Sequence, residues 1–313
     1  MLINKKNLHR ILLCPSSGER LILSEDETHL ICTQGDSTFK YDILDDKPIL
    51  VNFDKSILNR SDISSENALV KRRKYKSILS LAKKLVSPPK TKTRENVKAL
   101  KEILEQSKAS PKVLIVGGGT IGQNMEFFYE SVDVDLVSFD IYSSPNVQFI
   151  ADAHQIPLPD NFFDVVIVQA VLEHVLEPQT VVGEIHRVLK EDGLVYAETP
   201  FLQHVHEGPY DFTRFTESGH RYLFKNFSLI DSGITAGSGT QLLWTLDYFA
   251  RGLFRSRTAG KIVKILFFWV RYFDLLIPAK FNIDCASGVF FFGSKSSTPI
   301  NPKCIPDTYL GAQ

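Results

Sequence analysis

The sequence has few cysteines, no excess of either charge and no long uninterrupted apolar run. Its 313 residues include only four cysteines, which are too few and too scattered for a disulfide framework. This usage favours a reducing compartment. The N-terminus also lacks the apolar core and the small-residue cleavage site of a signal peptide. We therefore expect a cytoplasmic protein.

Charge is balanced over the chain, because 36 Lys and Arg residues face 36 Asp and Glu residues. A neutral protein has no global attraction to nucleic acid, so we expect no nucleic-acid partner. Basic residues dominate only between Lys71 and Lys112, where a solvated linker helix and a phosphate- or membrane-binding segment are alternatives. The longest apolar stretch, Ile262 to Ile277, is interrupted by charges and falls short of the ~20 apolar residues that a membrane span needs.

Hydrophobic residues make up 43% and charged residues 23% of the chain, which is typical of folded globular proteins. From residue 111 onward, strand patterns at 113–116, 134–139, 147–150, 164–169 and 193–198 alternate with helical patterns from about 121 and at 178–189. Such alternation predicts an α/β fold, a doubly wound and mostly parallel sheet with helices on both faces.

The preceding residues divide into two further parts. Short β-rich runs predict a small β module over 1–60, and a basic connector with helices at 65–86 and 93–107 fills 61–110. The main domain then occupies 111–313 and includes a helical insert at 241–278 that is dense in aromatic and basic residues. A membrane surface, an apolar acceptor pocket, a dimer face and packing on the sheet are alternative roles for this insert.

A glycine-rich turn follows the first strand of the main domain. Gly117, Gly119 and Gly122 spell G-x-G-x-x-G after a β-branched run, a pattern that lets the backbone approach a nucleotide cofactor. Asp140 ends the second strand about 20 residues further on, where a carboxylate can bind ribose hydroxyls. A dinucleotide and S-adenosylmethionine both fit these residues.

The continuation of this stretch distinguishes the two cofactors. Asp152-Ala153 is followed by PLPDNFFD at 157–164, by an apolar strand at 165–171 and by Leu172-Glu173-His174-Val175. In these motifs residues 112–201 resemble class I S-adenosylmethionine-dependent methyltransferases of the small-molecule type. The later FSLIDSGITAG and GVFFFGSKS resemble the closing antiparallel pair of that family. The resemblance implies a seven-stranded Rossmann-like sheet.

The resemblance also implies cofactor-binding residues. These are Gly117, Gly119, Gly122, Asp140, Asp152, Ala153 and Gln169. In the family the glycines pass the methionine part, the first aspartate holds the ribose, the Asp-Ala pair meets the adenine edge and the glutamine position lies under the sulfonium. The family often has an acidic residue where this chain has Ile115, so one anchor of the amino-acid portion is missing.

Polar residues after the fourth and fifth strands are candidates for the acceptor side. His174 and His206 are candidate catalytic bases for a hydroxyl acceptor. Candidate acceptor-binding residues are Glu173, His204, Tyr210, Asp211 and Arg214. An internal Asp211–Arg214 ion pair, with Phe212 and Phe215 packed beneath it, is the alternative. We expect no metal at His204-x-His206, because the sequence offers no apparent third and fourth ligands.

The N-terminal module resembles the Trm112-like zinc-ribbon module. Cys14-Pro15-Ser16-Ser17 and Cys32-Thr33-Gln34-Gly35 retain the first cysteine of each Cys-x-x-Cys knuckle and lose the second. Structural zinc needs four ligands and only two remain, so we expect no bound zinc and a degenerate module. The two cysteines would then pack as buried apolar side chains.

Together these patterns predict methyl transfer from S-adenosylmethionine to a small or carrier-linked acceptor, with oxygen favoured over nitrogen. A sugar, lipid or secondary-metabolite pathway is suggested by analogy alone. The alternatives are a non-catalytic binding or scaffold protein of the same fold, an NAD-dependent oxidoreductase and an RNA methyltransferase. Peripheral membrane contact is expected, if anywhere, at 241–278. The acceptor and the oligomeric state stay open.

Overall fold

The structure is a computed structural model that describes residues 1–63, 91–106 and 110–313. The predicted helix at 65–86 lies outside these ranges. Among the described residues, eleven strands join in one sheet. They are β1 (Ile22–Leu23), β2 (His29–Gln34), β3 (Ser37–Leu44), β4 (Lys47–Leu50), β5 (Lys112–Val116), β6 (Asp135–Asp140), β7 (Phe149–Ala151), β8 (Phe163–Gln169), β9 (Leu189–Pro200), β10 (Phe227–Ala236) and β11 (Gly288–Lys295).

The described residues also form nine α-helices. They are α1 (Lys5–His9), α2 (Arg60–Ile63), α3 (Thr91–Glu105), α4 (Glu126–Glu130), α5 (Pro178–Val188), α6 (Glu217–Leu223), α7 (Ser238–Leu253), α8 (Arg257–Leu266) and α9 (Ala279–Asn282). Short 3₁₀ segments follow β8 at Leu172–His174, β9 at Gly208–Tyr210 and α8 at Phe268–Leu275. None of the described helices has both the length and the apolar character needed to cross a bilayer.

The strand order across the sheet is β1-β2-β3-β4-β7-β6-β5-β8-β9-β11-β10. Neighbouring strands from β7 to β9 run parallel, and β11 lies antiparallel between β9 and β10. The predicted α/β class and the closing antiparallel pair are therefore confirmed. The chain moves outward from β5 to β7 and then returns to place β8 beside β5. Ligands bind at such a switch point, beyond the carboxyl ends of the strands.

The sheet has eleven strands and not seven, because the N-terminal strands continue it. β4 pairs parallel with β7, so that Ile49 lies opposite Ile150 and Leu50 opposite Ala151. The carbonyl of Ile3, which precedes β1, accepts a hydrogen bond from the side-chain amide of Gln148 over 2.7 Å. The first sixty residues are thus bonded directly to β6 and to β7 at the edge of the parallel sheet.

Cys14, which precedes β1, and Cys32 of β2 are both buried. The Cys14 Sγ lies 3.2 Å from the Tyr41 hydroxyl, and the Cys32 Sγ lies 3.4 Å from the Ser17 hydroxyl. Ser17 occupies the position of the second ligand in the first knuckle, so a hydroxyl stands where a zinc ribbon has a thiolate. The resemblance to a degenerate Trm112-like module, and the absence of zinc, stay predictions.

Helices cover both faces of the sheet. On one face the apolar stripe of α3, Val97, Leu100 and Leu104, packs with Phe128 of α4. On the other face α5 and α6 pack with the N-terminal residues in a larger apolar cluster. The helix expected from about residue 121 begins only at Glu126, because Asn124 adopts a left-handed conformation with φ of 64° that a helix cannot include.

Leu50 tests whether the N-terminal strands are part of the same cooperative fold. Its side chain is 0% exposed in the apolar cluster that also contains Phe149. Leu50→Ala should lower the free energy of unfolding by about 2–5 kcal/mol, because it removes buried methyl groups and leaves a cavity. Denaturant unfolding followed by circular dichroism measures this change.

The matched control is Ile22→Ala, since Ile22 lies in the same part of the chain with 72% of its surface exposed. An exposed substitution should change stability by less than about 0.5 kcal/mol. Equal effects of the two substitutions would contradict the integrated sheet, as would a separate early transition for residues 1–60.

Candidate functional site

A cavity of about 280 Å³ opens at the carboxyl ends of β5, β6 and β8. Six of the seven predicted cofactor-binding residues line it: Gly117, Gly122, Asp140, Asp152, Ala153 and Gln169. They come from four separate strand ends, so the sheet topology is what brings them together. The seventh, Gly119, does not line the cavity but binds Asp140 through its backbone amide.

The glycine loop is fastened to the end of β6. The Gly119 amide donates to Asp140 Oδ2 over 2.8 Å, and any Cβ at Gly119 would overlap this carboxylate and the ring of Tyr142. Gly117 has a φ of 76°, and a Cβ there would overlap Val171. Both positions therefore require glycine. Gly119 requires it because of the close contacts, and Gly117 because of a close contact and a left-handed backbone.

The carboxylate of Asp140 stands at the cavity wall. Its Oδ1 accepts from the Ile141 amide over 2.7 Å, and its Oδ2 accepts from Gly119. These two backbone bonds fix the orientation of the group. A carboxylate offers about four acceptor sites and no donor, so a carboxylate at this wall suits the recognition of hydroxyls.

Asp152 forms the opposite wall together with His154. Its carboxylate accepts from the His154 amide over 2.9 Å and contacts His154 Nδ1 over 2.6 Å, and it also accepts from the Ser56 hydroxyl. Burial raises the pKa of Asp152, but the bonds from His154 and Ser56 outweigh burial and lower this pKa below its ordinary value. The bond from Asp152 raises the pKa of His154 against the opposing effect of burial.

The N-terminal segment completes this side of the cavity. Ile57 and Leu58 line the cavity, and Ser56 holds Asp152. Glu198 of β9 also lines it and accepts from Tyr196 over 2.6 Å and from Thr93 of α3 over 2.5 Å. None of these residues was predicted from the sequence.

Only Glu198 carried a usable signal, a charged residue inside the apolar run LVYAETP. Ser56, Ile57 and Leu58 lie about 60 positions or more before the other wall residues, and no local pattern points to them. Ile115 packs in the apolar core beside Val113 and does not line the cavity.

The mouth of the cavity carries the predicted acceptor-side residues His174 and Tyr210, together with Glu207. The ring of His174 contacts the Tyr210 carbonyl through Nδ1 over 2.6 Å. Burial lowers the pKa of His174. Beneath the mouth, Glu173 is 0% exposed, and its Oε1 lies 3.5 Å from His174 Nε2 and 3.7 Å from His206 Nε2.

The segment after β9 is folded around an ion pair. Arg214 binds both carboxylate oxygens of Asp211, one of them over 2.9 Å, and also donates to the Gln203 carbonyl over 2.9 Å. Burial raises the pKa of Asp211, but the bond from Arg214 dominates and brings this pKa to about 2. Both side chains are thus engaged with their own segment, which is the structural alternative considered for them.

The remaining acceptor-side predictions have mixed outcomes. His204 turns away from the cavity, and its ring stacks on Tyr248 with centroids 4.6 Å apart. Phe215 packs against the core as the ion-pair alternative expected. The same expectation is wrong for Phe212, which is 40% exposed because its backbone amide pairs with the Glu173 carbonyl and holds the residue at the surface.

One family model matches the part of the chain that contains most of the site. Residues 116–197 match the family model described as a methyltransferase domain. This segment contains the glycine loop, Asp140, Asp152, Gln169 and the Glu173-His174 pair. No curated protein matches the sequence significantly.

Three solved structures illustrate the level of structural likeness. Phosphoethanolamine N-methyltransferase 2 of Haemonchus contortus in complex with S-adenosyl-L-methionine is 15% identical, with a TM-score of 0.46 and coverage of 83% of this chain and 63% of that chain. A SAM-dependent methyltransferase from Archaeoglobus fulgidus is 15% identical, with a TM-score of 0.43 and coverage of 70% and 100%. The PH0226 protein from Pyrococcus horikoshii is 21% identical, with a TM-score of 0.35 and coverage of 51% and 94%. Likenesses this distant assign no activity to the chain.

The Asp152–His154 pair generates a pH-dependent stability. The raised pKa of His154 contributes stability that is complete below its unfolded value of 6.5 and is lost as pH rises through the folded value. The lowered pKa of Asp152 contributes stability that is present above 3.8 and is lost as pH falls through the folded value. His154→Gln should therefore destabilise the protein most between about pH 4 and pH 6.5.

Denaturant unfolding of both proteins across this pH range measures the difference. In an Asp152→Asn background the effect of His154→Gln should lose its pH dependence, since the partner charge is gone. A dependence on pH that is the same in both backgrounds would show that the pair is not its source.

Proposed function

We propose that this protein transfers a methyl group from S-adenosylmethionine to an oxygen of a small or carrier-linked acceptor. The observation that carries the proposal is the convergence of the glycine loop, Asp140 and Asp152 on one cavity at the topological switch point. The match of residues 116–197 to a methyltransferase domain supports it.

The residues of the cavity fit the parts of this donor. Asp140, held at the wall by two backbone amides, would accept bonds from the ribose hydroxyls. Leu58 and Ala153 offer apolar surface for an adenine ring beside the buried Asp152. Gly117 and Gly122 bring backbone to the cavity without side chains, which leaves room for the amino-acid portion, and Gln169 borders the same end.

The donor supplies an electrophilic methyl group, which the acceptor oxygen would displace in line from the sulfonium sulfur to leave S-adenosylhomocysteine. The protein has to hold the acceptor in line and remove its proton. His174 borders the cavity, and His206 and Glu173 lie directly behind it. We assign the activation of the acceptor to this group, with Tyr210 and Glu207 at the entrance.

Asp140→Ala tests the donor site. Loss of hydrogen bonds to a charged group costs about 1.5–3 kcal/mol, so S-adenosylhomocysteine should bind about tenfold or more weakly to the variant in isothermal calorimetry. The control is Asp133→Ala, since Asp133 is an exposed carboxylate just before the opposite end of β6. Affinity should be unchanged in the control.

Two results would contradict the proposal: no binding of S-adenosylhomocysteine by the wild type, or equal binding by wild type and Asp140→Ala. Binding of NADH in place of S-adenosylhomocysteine would favour the oxidoreductase alternative. Binding of the nucleoside ligand without turnover of any acceptor would favour the scaffold alternative.

We also propose that the helical segment α7 to Leu275 contacts an anionic membrane surface. Inside the segment, Asp247 is 0% exposed and pairs with Arg251 over 2.6 Å and with Lys264 over 3.2 Å, so polar contacts hold α7 to α8. Large apolar side chains are left on the outside. They include Phe249, Leu253, Phe254, Ile262, Ile265, Leu266, Trp269, Phe273, Leu275 and Leu276.

Charge complementarity selects this occupant over a second copy of the chain. Residues 238–275 contain six Lys and Arg residues and two acidic residues, Asp247 and Asp274. Arg251 and Lys264 pair with Asp247 and Arg271 is buried, so the exposed basic residues are Arg255, Arg257 and Lys261. The carboxylate of Asp274 is already engaged, because it accepts from the Gly239 amide over 2.6 Å at the start of α7. A basic surface rich in exposed aromatic side chains is typical of peripheral helices on anionic lipid.

Vesicle co-sedimentation tests this contact. Vesicles with phosphatidylserine should pellet the protein, pure phosphatidylcholine vesicles should pellet less, and added salt should weaken the binding. Arg255→Glu with Lys261→Glu should reduce binding severalfold, whereas the control Lys98→Glu, on the exposed face of α3, should not. Equal binding by the charge-reversed and control variants would contradict the proposal, as would a stable dimer that buries the segment.

A further inference from the structure

Three ligand atoms meet next to the cavity, outside the donor-binding residues. The Oε1 of Glu173 lies 3.5 Å from His174 Nε2 and 3.7 Å from His206 Nε2. Ligand atoms of the three residues all lie within 4.8 Å of one another. Bonds of about 2.0–2.2 Å to one metal ion separate neighbouring ligand atoms by roughly 3.0–3.5 Å. The two distances from Glu173, 3.5 and 3.7 Å, lie at or just above this range.

Contacts outside the cluster orient both imidazole rings. The Nδ1 of His174 lies 2.6 Å from the Tyr210 carbonyl, which only accepts, so Nδ1 carries the hydrogen and Nε2 presents its lone pair. The Nδ1 of His206 lies 3.3 Å from Asp211 Oδ2 and 3.3 Å from the His204 carbonyl, which gives this ring the same orientation. Metal-ligating histidines are typically held in this way by a carbonyl or carboxylate behind them.

The third ligand is rigid. The Glu173 side chain is 0% exposed, and its backbone carbonyl accepts from the Phe212 amide over 2.8 Å. Asp211, which supports His206, is itself held by Arg214. A cation among the Glu173 carboxylate and the two ring nitrogens would offset the negative charge of a carboxylate buried away from water.

We propose that Glu173, His174 and His206 bind a divalent transition-metal ion such as Zn²⁺. Two imidazoles and one carboxylate are a donor set for zinc and its neighbours rather than for Mg²⁺, and three protein ligands leave positions open for oxygen ligands. From the sequence we expected no metal, because only His204 and His206 stood out as ligands. In the structure His204 stacks on Tyr248, and the potential ligands beside His206 are Glu173 and His174.

An ion held by these residues would lie beside the cavity, because His174 is one of the residues that line it. This step rests on the proposed methyl transfer: the hydroxyl of the acceptor would be a further ligand of the ion. An acceptor with a second neighbouring oxygen would fill two coordination positions. Coordination lowers the pKa of the hydroxyl, which releases its proton to water. The oxygen then forms its bond to the methyl carbon as the carbon–sulfur bond breaks.

The test uses the full chain, stripped with a chelator and titrated with Zn²⁺ by calorimetry and with Co²⁺ by visible absorption. The wild type should bind one ion per chain, with the absorption of a nitrogen- and oxygen-ligated cobalt ion. Glu173→Gln and His206→Asn should each weaken binding by about tenfold or more. His204→Asn, in the same segment, should bind as the wild type does.

His206→Asn keeps the test valid if Glu173→Gln fails to fold, since the His206 side chain is 25% exposed. Equal metal binding by His206→Asn and wild type would overturn the proposal, as would no stoichiometric binding by the wild type. A thiolate-to-cobalt absorption band would also overturn it, because the ion would then be bound by cysteine. Binding of S-adenosylhomocysteine is measured on the same samples. If the wild type binds the metal ion but not S-adenosylhomocysteine, the proposed methyl transfer is rejected alone. If it binds S-adenosylhomocysteine but no metal ion, the metal site is rejected alone.

Discussion

The hydrogen bond from the Gly119 amide to the Asp140 carboxylate is the contact on which the arrangement of the site depends. It joins the turn after β5 to the end of β6, and both strands lie at the switch point of the sheet. The bond forms only because Gly119 has no Cβ, which would otherwise occupy the space of the carboxylate and of Tyr142. The Gly119 amide therefore holds the loop against the end of β6 and, together with the Ile141 amide, orients the carboxylate that borders the cavity.

The donor side of the cavity was predictable because its residues follow strands of one parallel sheet. Gly117, Asp140 and Asp152 each stand where a buried strand ends, and parallel strands bring such ends to one edge. The contribution of Ser56 and Leu58 was not predictable, since it depends on the pairing of β4 with β7 across a hundred residues. The predicted seven strands became eleven for the same reason, because no local pattern reports which edge an N-terminal strand will join.

The acceptor side shows the opposite balance between local and distant information. Residue types in 201–216 identified the right segment, but not which side chains face the cavity. The Phe212 amide pairs with the Glu173 carbonyl, the ring of His206 lies beside the Glu173 carboxylate, and His204 stacks on Tyr248. The exposure of Phe212 follows from the first of these contacts. Spacing within the segment could not reveal a cluster whose other two members precede it by about thirty residues.

The central proposal is that the cavity beside Asp140 binds the nucleoside of S-adenosylmethionine. A crystal structure of the protein soaked with S-adenosylhomocysteine tests it most directly. The account predicts the ribose hydroxyls within hydrogen-bond distance of the Asp140 carboxylate, with the adenine near Leu58 and Ala153 and the sulfur toward Gln169 and His174. Ligand density elsewhere on the protein, or a nucleoside in the cavity with no contact to Asp140, would contradict the claim.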